Sequence, residues 1–281
     1  MQTMTRRGFV AALGALAPAA PRAFGAQATP GRLPRLGVQA GIVRDALARD
    51  FDGTLGRLAQ LGLQTLELQW YGGNFGRPPR EIRRACDSAG IQVTSALVRA
   101  GAVLVGWARH LAALHELGAS HVLVVNLTED EAHSIDDWRE WADRFSTAGA
   151  EARRAGIWLG LHNEPHFVTP IAGRVPYDEF IERSDPASVA LSMDAANMLR
   201  GGGDPVAYLR RYAARYRSGH LKDVTPTGIV GGRFGDGRLP LRAVLDATPE
   251  HARAHQFLEH PLGDAPFDEL ARIASLVVAR A

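Results

Sequence analysis

A (β/α)8 TIM barrel forming a single domain is the fold this sequence predicts, on three observations. From about residue 34 onward, eight short β-branched or Leu-rich runs alternate with longer segments of helical period, within 281 residues. No GxGxxG or GxxxxGK[ST] turn follows the first run, so an open nucleotide-binding sheet has no support. No linker long enough to split the chain interrupts the alternation. The composition, 46% hydrophobic and 22% charged, suits a globular domain and excludes a disordered chain or a polytopic membrane protein. A lone cysteine, Cys86, excludes a disulfide scaffold, and its helical neighbourhood reads as packing.

The strands are expected at 34–40, 64–69, 91–97 and 121–126, then at 157–163, 189–194, 218–223 and 255–260. Helical patterns lie between them at 54–61, 79–89, 106–117, 135–155, 177–183, 205–211 and 241–247, with a last helix at 267–280. Pro79, Asp136 and the pair Asp204-Pro205 stand where caps or first-turn prolines belong. The longest irregular segment, 224–240, is rich in glycine. In a barrel it follows strand seven on the catalytic face, where such loops are candidate lids.

The N-terminus reads as an address. Thr5-Arg6-Arg7-Gly8-Phe9-Val10 precedes a weakly apolar run and the small-x-small site Ala26-Gln27-Ala28. That pattern predicts a twin-arginine export signal over residues 1–28, cleaved after Ala28, with the barrel in 29–281. The run is too short and too weakly apolar to span a bilayer. The expected partner of this segment is the twin-arginine machinery, and the expected location periplasmic or secreted. Arg6, Arg7 and Arg22 face no acid there. Without those three, the 32 basic residues become 29 against 30 acidic ones, so no basic stripe remains for nucleic acid.

In a barrel, chemistry gathers where strands end, so a polar residue closing an apolar run is informative. Strand five closes with His162-Asn163-Glu164, whose period of two puts His162 and Glu164 on one face. Strand six closes with Asp194, strand seven with His220-Leu221-Lys222-Asp223, and strand eight with Glu259-His260; strand two contributes Glu67. Any one of these histidines alone is simply read as a satisfied core or loop residue. Asp194, His220 and Glu259 together, each at a strand tip, predict a divalent cation, because buried charges of this kind are too unfavourable to leave unpaired. Oxygen and imidazole donors suit Mn2+, Mg2+, Co2+ or Zn2+. Lys222 is the one lysine among the 32 basic residues, which marks it as a functional ammonium.

With these residues in order, the chain resembles the sugar phosphate isomerase/epimerase family, the xylose isomerase-like barrels, and within it an exported branch. The resemblance is carried by Leu66-Glu67, Tyr71-Gly72, Pro79-Arg80-Glu81-Ile82-Arg83, Ala89-Gly90-Ile91, Leu161-His162-Asn163, Met193-Asp194 and Gly203-Asp204-Pro205. Its most specific piece is His220-Leu221-Lys222-Asp223, followed by Gly235-Asp236-Gly237 and Leu258-Glu259. The resemblance implies a divalent metal at the ends of strands five to eight, with Asp194, His220 and Glu259 matching family ligands and Lys222 matching the lysine beside the metal histidine. His162 stands where better-known epimerases carry a glutamate. Ligation by Glu164 instead of, or together with, His162 is open.

Departures fall around that core. The second histidine of the branch's fifth-strand motif is Glu164, a histidine usual near the end of strand three is Leu97, and an acid usual two before the metal aspartate is Ser192. Asn197 replaces an aromatic, and His260-Pro261 replaces Gln-Asp. The metal site is expected to survive and the substrate pocket to be remodelled, with Glu67, Trp70, Asn197, Lys222 and His260 as its contacts. The implied activity is isomerisation or epimerisation of a keto- or aldo-sugar. The cation polarises the carbonyl, Glu259 with Glu164 or His162 moves the adjacent proton through an enediolate, and Lys222 supplies positive charge. β-Elimination from a keto-sugar, keto-glycoside or keto-inositol shares this first step. A barrel that binds sugar without chemistry is the remaining alternative, and a homo-oligomer is compatible with each.

Overall fold

The computed structural model describes residues 35–70 and 73–281. The export-signal reading of residues 1–28, and Tyr71-Gly72, therefore lie outside the described residues. Eight parallel strands close in sequence order: β1 (Leu36–Gln39), β2 (Leu63–Gln69), β3 (Gln92–Arg99), β4 (His121–Val125), β5 (Trp158–His162), β6 (Val189–Asp194), β7 (Tyr216–Leu221) and β8 (Gln256–Leu258), with β8 pairing back onto β1. Around them lie α1 (Arg44–Arg49), α2 (Phe51–Gln60), α3 (Pro79–Ala89), α4 (Trp107–Leu117), α5 (Ile135–Arg154), α6 (Pro176–Arg183), α7 (Ala195–Arg200), α8 (Pro205–Arg211), α9 (Leu241–Ala247) and α10 (Pro266–Arg280). No described helix is long and apolar enough to cross a membrane.

Local chemistry fixes these elements. β4 reads His-Val-Leu-Val-Val and is buried throughout, as a parallel strand covered on both faces must be. α3 begins on Pro79 and stops at Gly90, whose φ of 73° is open to glycine. α5 starts on a capping box in which Ser134 accepts from the Asp137 amide while the Asp137 carboxylate accepts from Ser134. The start signal therefore falls on Ser134 and Asp137, beside the expected Asp136.

The main core lies between the strands and the helical layer, with Trp138, Phe145, Phe167 and Phe180 packed edge to face. A smaller buried apolar group, Leu97, Leu123 and Val125, lies on the neighbouring strands β3 and β4. Gly160 makes room there: a Cβ on it would sit 2.7 Å from Leu123 Cδ2. Leu97, where the resembled family carries a histidine, is thus packed against apolar neighbours.

Two helices were not expected. α1 is six residues long, and Asp50 separates it from α2 by capping Gly53. α7 starts directly on Asp194, so its signal is hidden behind the strand that precedes it. The glycine-rich segment after β7, a candidate lid, is anchored at its base by Asp223. Asp223 Oδ1 accepts from the amides of Val224 (2.8 Å) and Leu239 (3.0 Å), and Oδ2 from those of Gly235 (2.9 Å) and Gly237 (3.0 Å). The His260 ring adds a staple, Nδ1 accepting from the Asp223 amide and Nε2 donating to the Gly232 carbonyl.

Candidate metal centre

Parallel strands closing in register bring their carboxyl ends to one rim. Asp194 pairs with His220 across β6 and β7, and His162 with Ser192 across β5 and β6. Glu259, one residue past β8, is held by its amide donating to the Leu221 carbonyl at 3.1 Å. Among the described residues, His162, Asp194, His220 and Glu259 form a group whose potential ligand atoms all lie within 4.8 Å of one another.

Contacts inside the group show which atoms face inward. His162 Nε2 is 3.2 Å from Asp194 Oδ2, and His220 Nδ1 is 2.8 Å from Glu259 Oε2. Lys222 Nζ lies 2.6 Å from Asp194 Oδ2 and 3.0 Å from Glu259 Oε2. His162 Nδ1 and Nε2, His220 Nδ1 and Asp194 Oδ2 are buried yet have no aligned hydrogen-bond partner, although charged groups lie close to them. Buried polar atoms are rarely left so. Two imidazole nitrogens and two carboxylate oxygens converging from four strands fit a divalent cation.

Asp194 and His220 are gripped from behind. Asp194 caps α7 through Oδ1, which accepts from the Asn197 amide at 2.8 Å, leaving Oδ2 for the centre. Asn163 locks β5 to β6: its Oδ1 accepts from the Asp194 amide at 2.8 Å and its Nδ2 donates to the Asp194 carbonyl at 2.9 Å. His220 Nε2 meets Glu67 Oε1 at 2.5 Å, and Glu67 Oε2 accepts from Ser95 Oγ at 2.7 Å.

The electrostatics are those of densely paired buried charge. Burial alone would raise Asp194, but the Lys222 ammonium and then His162 hold it down to about 2. Burial likewise opposes ionisation of Glu259, and His220 and Lys222 overcome it and hold the carboxyl far below the usual range. Lys222 is pushed up against its burial by Asp194 and Glu259, so its ammonium is fixed. His220 is held well above the ordinary histidine value, against burial, by Glu67 and Glu259. A divalent cation held by these residues would need the facing His220 nitrogen deprotonated.

The structure gathers His162, Asp194, Lys222, His220 and Glu259, and sets the other expected site residues apart. Glu164 stands outside the ligand group. Its Oε1 accepts from the Asn126 amide (3.2 Å) and lies 3.4 Å from His162 Nδ1, while its Oε2 accepts from Asn197 Nδ2 (3.0 Å). Of the two strand-five donors, His162 therefore joins the group and Glu164 stands behind it. Glu67, expected as a sugar contact, has no exposed surface, because both its oxygens are engaged by His220 and Ser95. Asn197 is buried, with its side-chain amide donating to Glu164 and to the Asn163 carbonyl. His260 is buried with both ring nitrogens used on the loop, so it holds the loop rather than a substrate. Trp70 lines a cavity of about 380 Å³ with Val98, Arg99, Gly101, Val105 and His110, above the ends of β2 and β3. Sequence reasoning missed the gripping roles of Asn163, Ser95 and Asp223, which depend on partners 28 to 31 residues away or on a loop conformation.

Comparison with known proteins gives this geometry a family. The sequence model of the xylose isomerase-like TIM barrel family matches residues 55–261. Inosose dehydratase of Lacticaseibacillus casei is 23% identical over 216 residues, covering 64% of this chain and 72% of the relative. Inosose dehydratase of Geobacillus kaustophilus is 27% identical over 201 residues, covering 62% of each chain. A solved sugar phosphate isomerase/epimerase from Parabacteroides distasonis shares the fold with a TM-score of 0.73 and 22% identity, over 90% of this chain and 96% of the other. The 3-keto-D-glucoside 4-epimerase of E. coli does so with a TM-score of 0.62 and 18% identity, over 86% and 99%.

Proposed function

Because this chain belongs to the xylose isomerase-like TIM barrel family, we propose that it is a divalent-metal-dependent enzyme that isomerises or epimerises a keto- or aldo-sugar. The observation that carries this reading is the convergence of His162, Asp194, His220 and Glu259, with the Lys222 ammonium inside the same group. When bound, a divalent cation supplies electrophilic pull on a substrate carbonyl.

The protein's own residues do the rest. Glu259 has the most open side chain of the four at 21% exposed, so it is the carboxylate that takes the proton beside the carbonyl, with Glu164 or His162 as the partner that returns one elsewhere. Lys222, held within 3.0 Å of Glu259, gives fixed positive charge where negative charge develops. Asp194 is committed to Lys222 and to capping α7, and takes no proton.

A lyase reading, β-elimination from a keto-sugar or keto-inositol, has one observation in its favour: the inosose dehydratase relatives. Both readings begin with the same proton transfer. The test is solvent exchange: metal-loaded protein and a panel of keto-sugars, aldo-sugars and a keto-inositol in D2O, followed by NMR. Deuterium at the carbon beside the carbonyl, absent with Glu259→Gln, is the expected result. An inverted centre then marks an epimerase and a conjugated enone a lyase. Wild-type and Glu259→Gln protein exchanging at the same rate would remove Glu259 from its role. The Arg6-Arg7 segment supports an exported enzyme, to be checked by fractionating cells that express wild type and an Arg6→Lys, Arg7→Lys variant.

A further inference from the structure

We infer that this site selects borderline cations such as Zn2+ and Co2+ over Mg2+ and Mn2+, that His162 determines the choice, and that Glu164 is its positioning residue. The inference rests on the metal reading above and narrows it.

The donor set is the first ground. Imidazole nitrogens suit Zn2+, Co2+ and their neighbours, whereas all-oxygen surroundings suit Mg2+ and Mn2+. Here the inward atoms are two imidazole nitrogens, from His162 and His220, and two carboxylate oxygens, from Asp194 and Glu259. A carboxylate at 162 would leave one nitrogen among three oxygens.

The second ground is that a carboxylate stands behind each ring, hydrogen-bonded in the case of His220 and near but not aligned in the case of His162. Behind His220, Glu67 meets the nitrogen turned away from the centre; behind His162, Glu164 Oε1 lies 3.4 Å from Nδ1 while Nε2 faces Asp194. A carboxylate behind a metal-binding imidazole fixes its tautomer and raises its basicity. Glu164 is itself held in place by two donors, the Asn126 amide and Asn197 Nδ2. Asn126 adopts φ 53°, a left-handed conformation that asparagine tolerates. Its side-chain amide also fits Glu164 Oε1, at 3.3 Å, with its oxygen accepting from Arg99. Two donors on one carboxylate, with Asn126 able to add a third in its swapped amide orientation, fix Glu164 beside the His162 ring.

The experiment reads metal binding directly. Protein stripped by a chelator is titrated with Zn2+, Co2+, Mn2+ and Mg2+ against a chromophoric competitor, and the visible absorption of the Co2+ form is recorded. Most nitrogen and oxygen sites rank Co2+ above Mn2+, so the decisive quantity is the change in that ratio. His162→Glu should narrow the Co2+ to Mn2+ affinity ratio about tenfold or more and shift the Co2+ band. Glu164→Gln should weaken Zn2+ and Co2+ roughly 10–100-fold, with its circular dichroism spectrum unchanged. Should His162→Glu fail to fold, His162→Asn replaces it, with the same narrowing expected. An unchanged ratio and band would overturn the selectivity assignment, and wild-type affinity in Glu164→Gln would overturn the positioning role. Wild-type protein that binds none of the four cations would overturn the proposed function itself, a different result from either.

Discussion

Replacing Asp223 with alanine should loosen the segment between β7 and α9 and cost a large part of the chain's stability. The buried carboxylate accepts four backbone amides between 2.8 and 3.0 Å, from Val224, Gly235, Gly237 and Leu239. A hydrogen bond to a charged group contributes about 1.5–3 kcal/mol, so simple addition sets an upper bound of roughly 6–12 kcal/mol. Such bonds are not additive within one network, and water reaches the part-buried glycine amides once the loop moves. A loss of about 4 kcal/mol is therefore expected for Asp223→Ala. Asp223→Asn keeps one acceptor oxygen and turns an NH2 toward the other pair of amides, so about 2–3 kcal/mol is expected there. Urea unfolding of metal-free protein gives the free energies, and limited proteolysis with mass spectrometry gives the site of loosening. Cleavage should concentrate between residues 224 and 240. If Asp223→Ala loses less than about 1 kcal/mol and the segment stays as resistant as in wild type, the reasoning about this loop is wrong.

Two further outcomes follow from burial. Cys86 is packed inside the helical layer, and burial, then Asp87 and Asp52, push its thiol up to about 12; a disulfide reagent should label none of it in native protein and one equivalent in denaturant, and rapid native labelling would contradict this. At the amino-terminal end of the barrel the His121 and His255 rings lie 4.3 Å apart. Burial depresses both, helped at His121 by His255 and at His255 by Arg35, and His255 falls to about 4. Over the interval between about 6.5 and 4 the unfolded chain binds the protons that the folded one refuses. The stability is thus complete above pH 6.5 and lost as pH falls toward 4, by at most about 3 kcal/mol for His255. Melting curves from pH 7 to 4 should show that slope, and His255→Gln should flatten it; an identical slope in the variant would reject the assignment.

Much of the fold was legible because parallel strands covered on both faces leave continuous apolar runs, as in His121–Val125, and because caps such as Asp204 stand at fixed offsets. The strand tips were legible for the same reason: a polar residue that ends an apolar run has one place to go in a closed barrel. What a residue does once there was less so. Glu67, Asn197 and His260 sit where a sugar contact was expected, yet each is consumed by a neighbour brought in by tertiary structure. Glu67 meets His220 across 153 positions, a pairing that no local pattern encodes. The choice between His162 and Glu164 was open for a related reason. Period two places both on one face of a strand, and which of them turns into the centre depends on partners such as Asn126 and Asn197 that hold Glu164 from other elements.

The central claim is that strand tips five to eight hold one divalent cation. A crystal structure of protein grown with Zn2+ or Co2+, with anomalous scattering collected at the metal edge, tests it most directly. One ion per chain is expected, within about 2.0–2.3 Å of His162, Asp194, His220 and Glu259, with the signal lost in Asp194→Ala and His220→Ala. An ion bound elsewhere, or retained at full occupancy in both variants, would contradict the account.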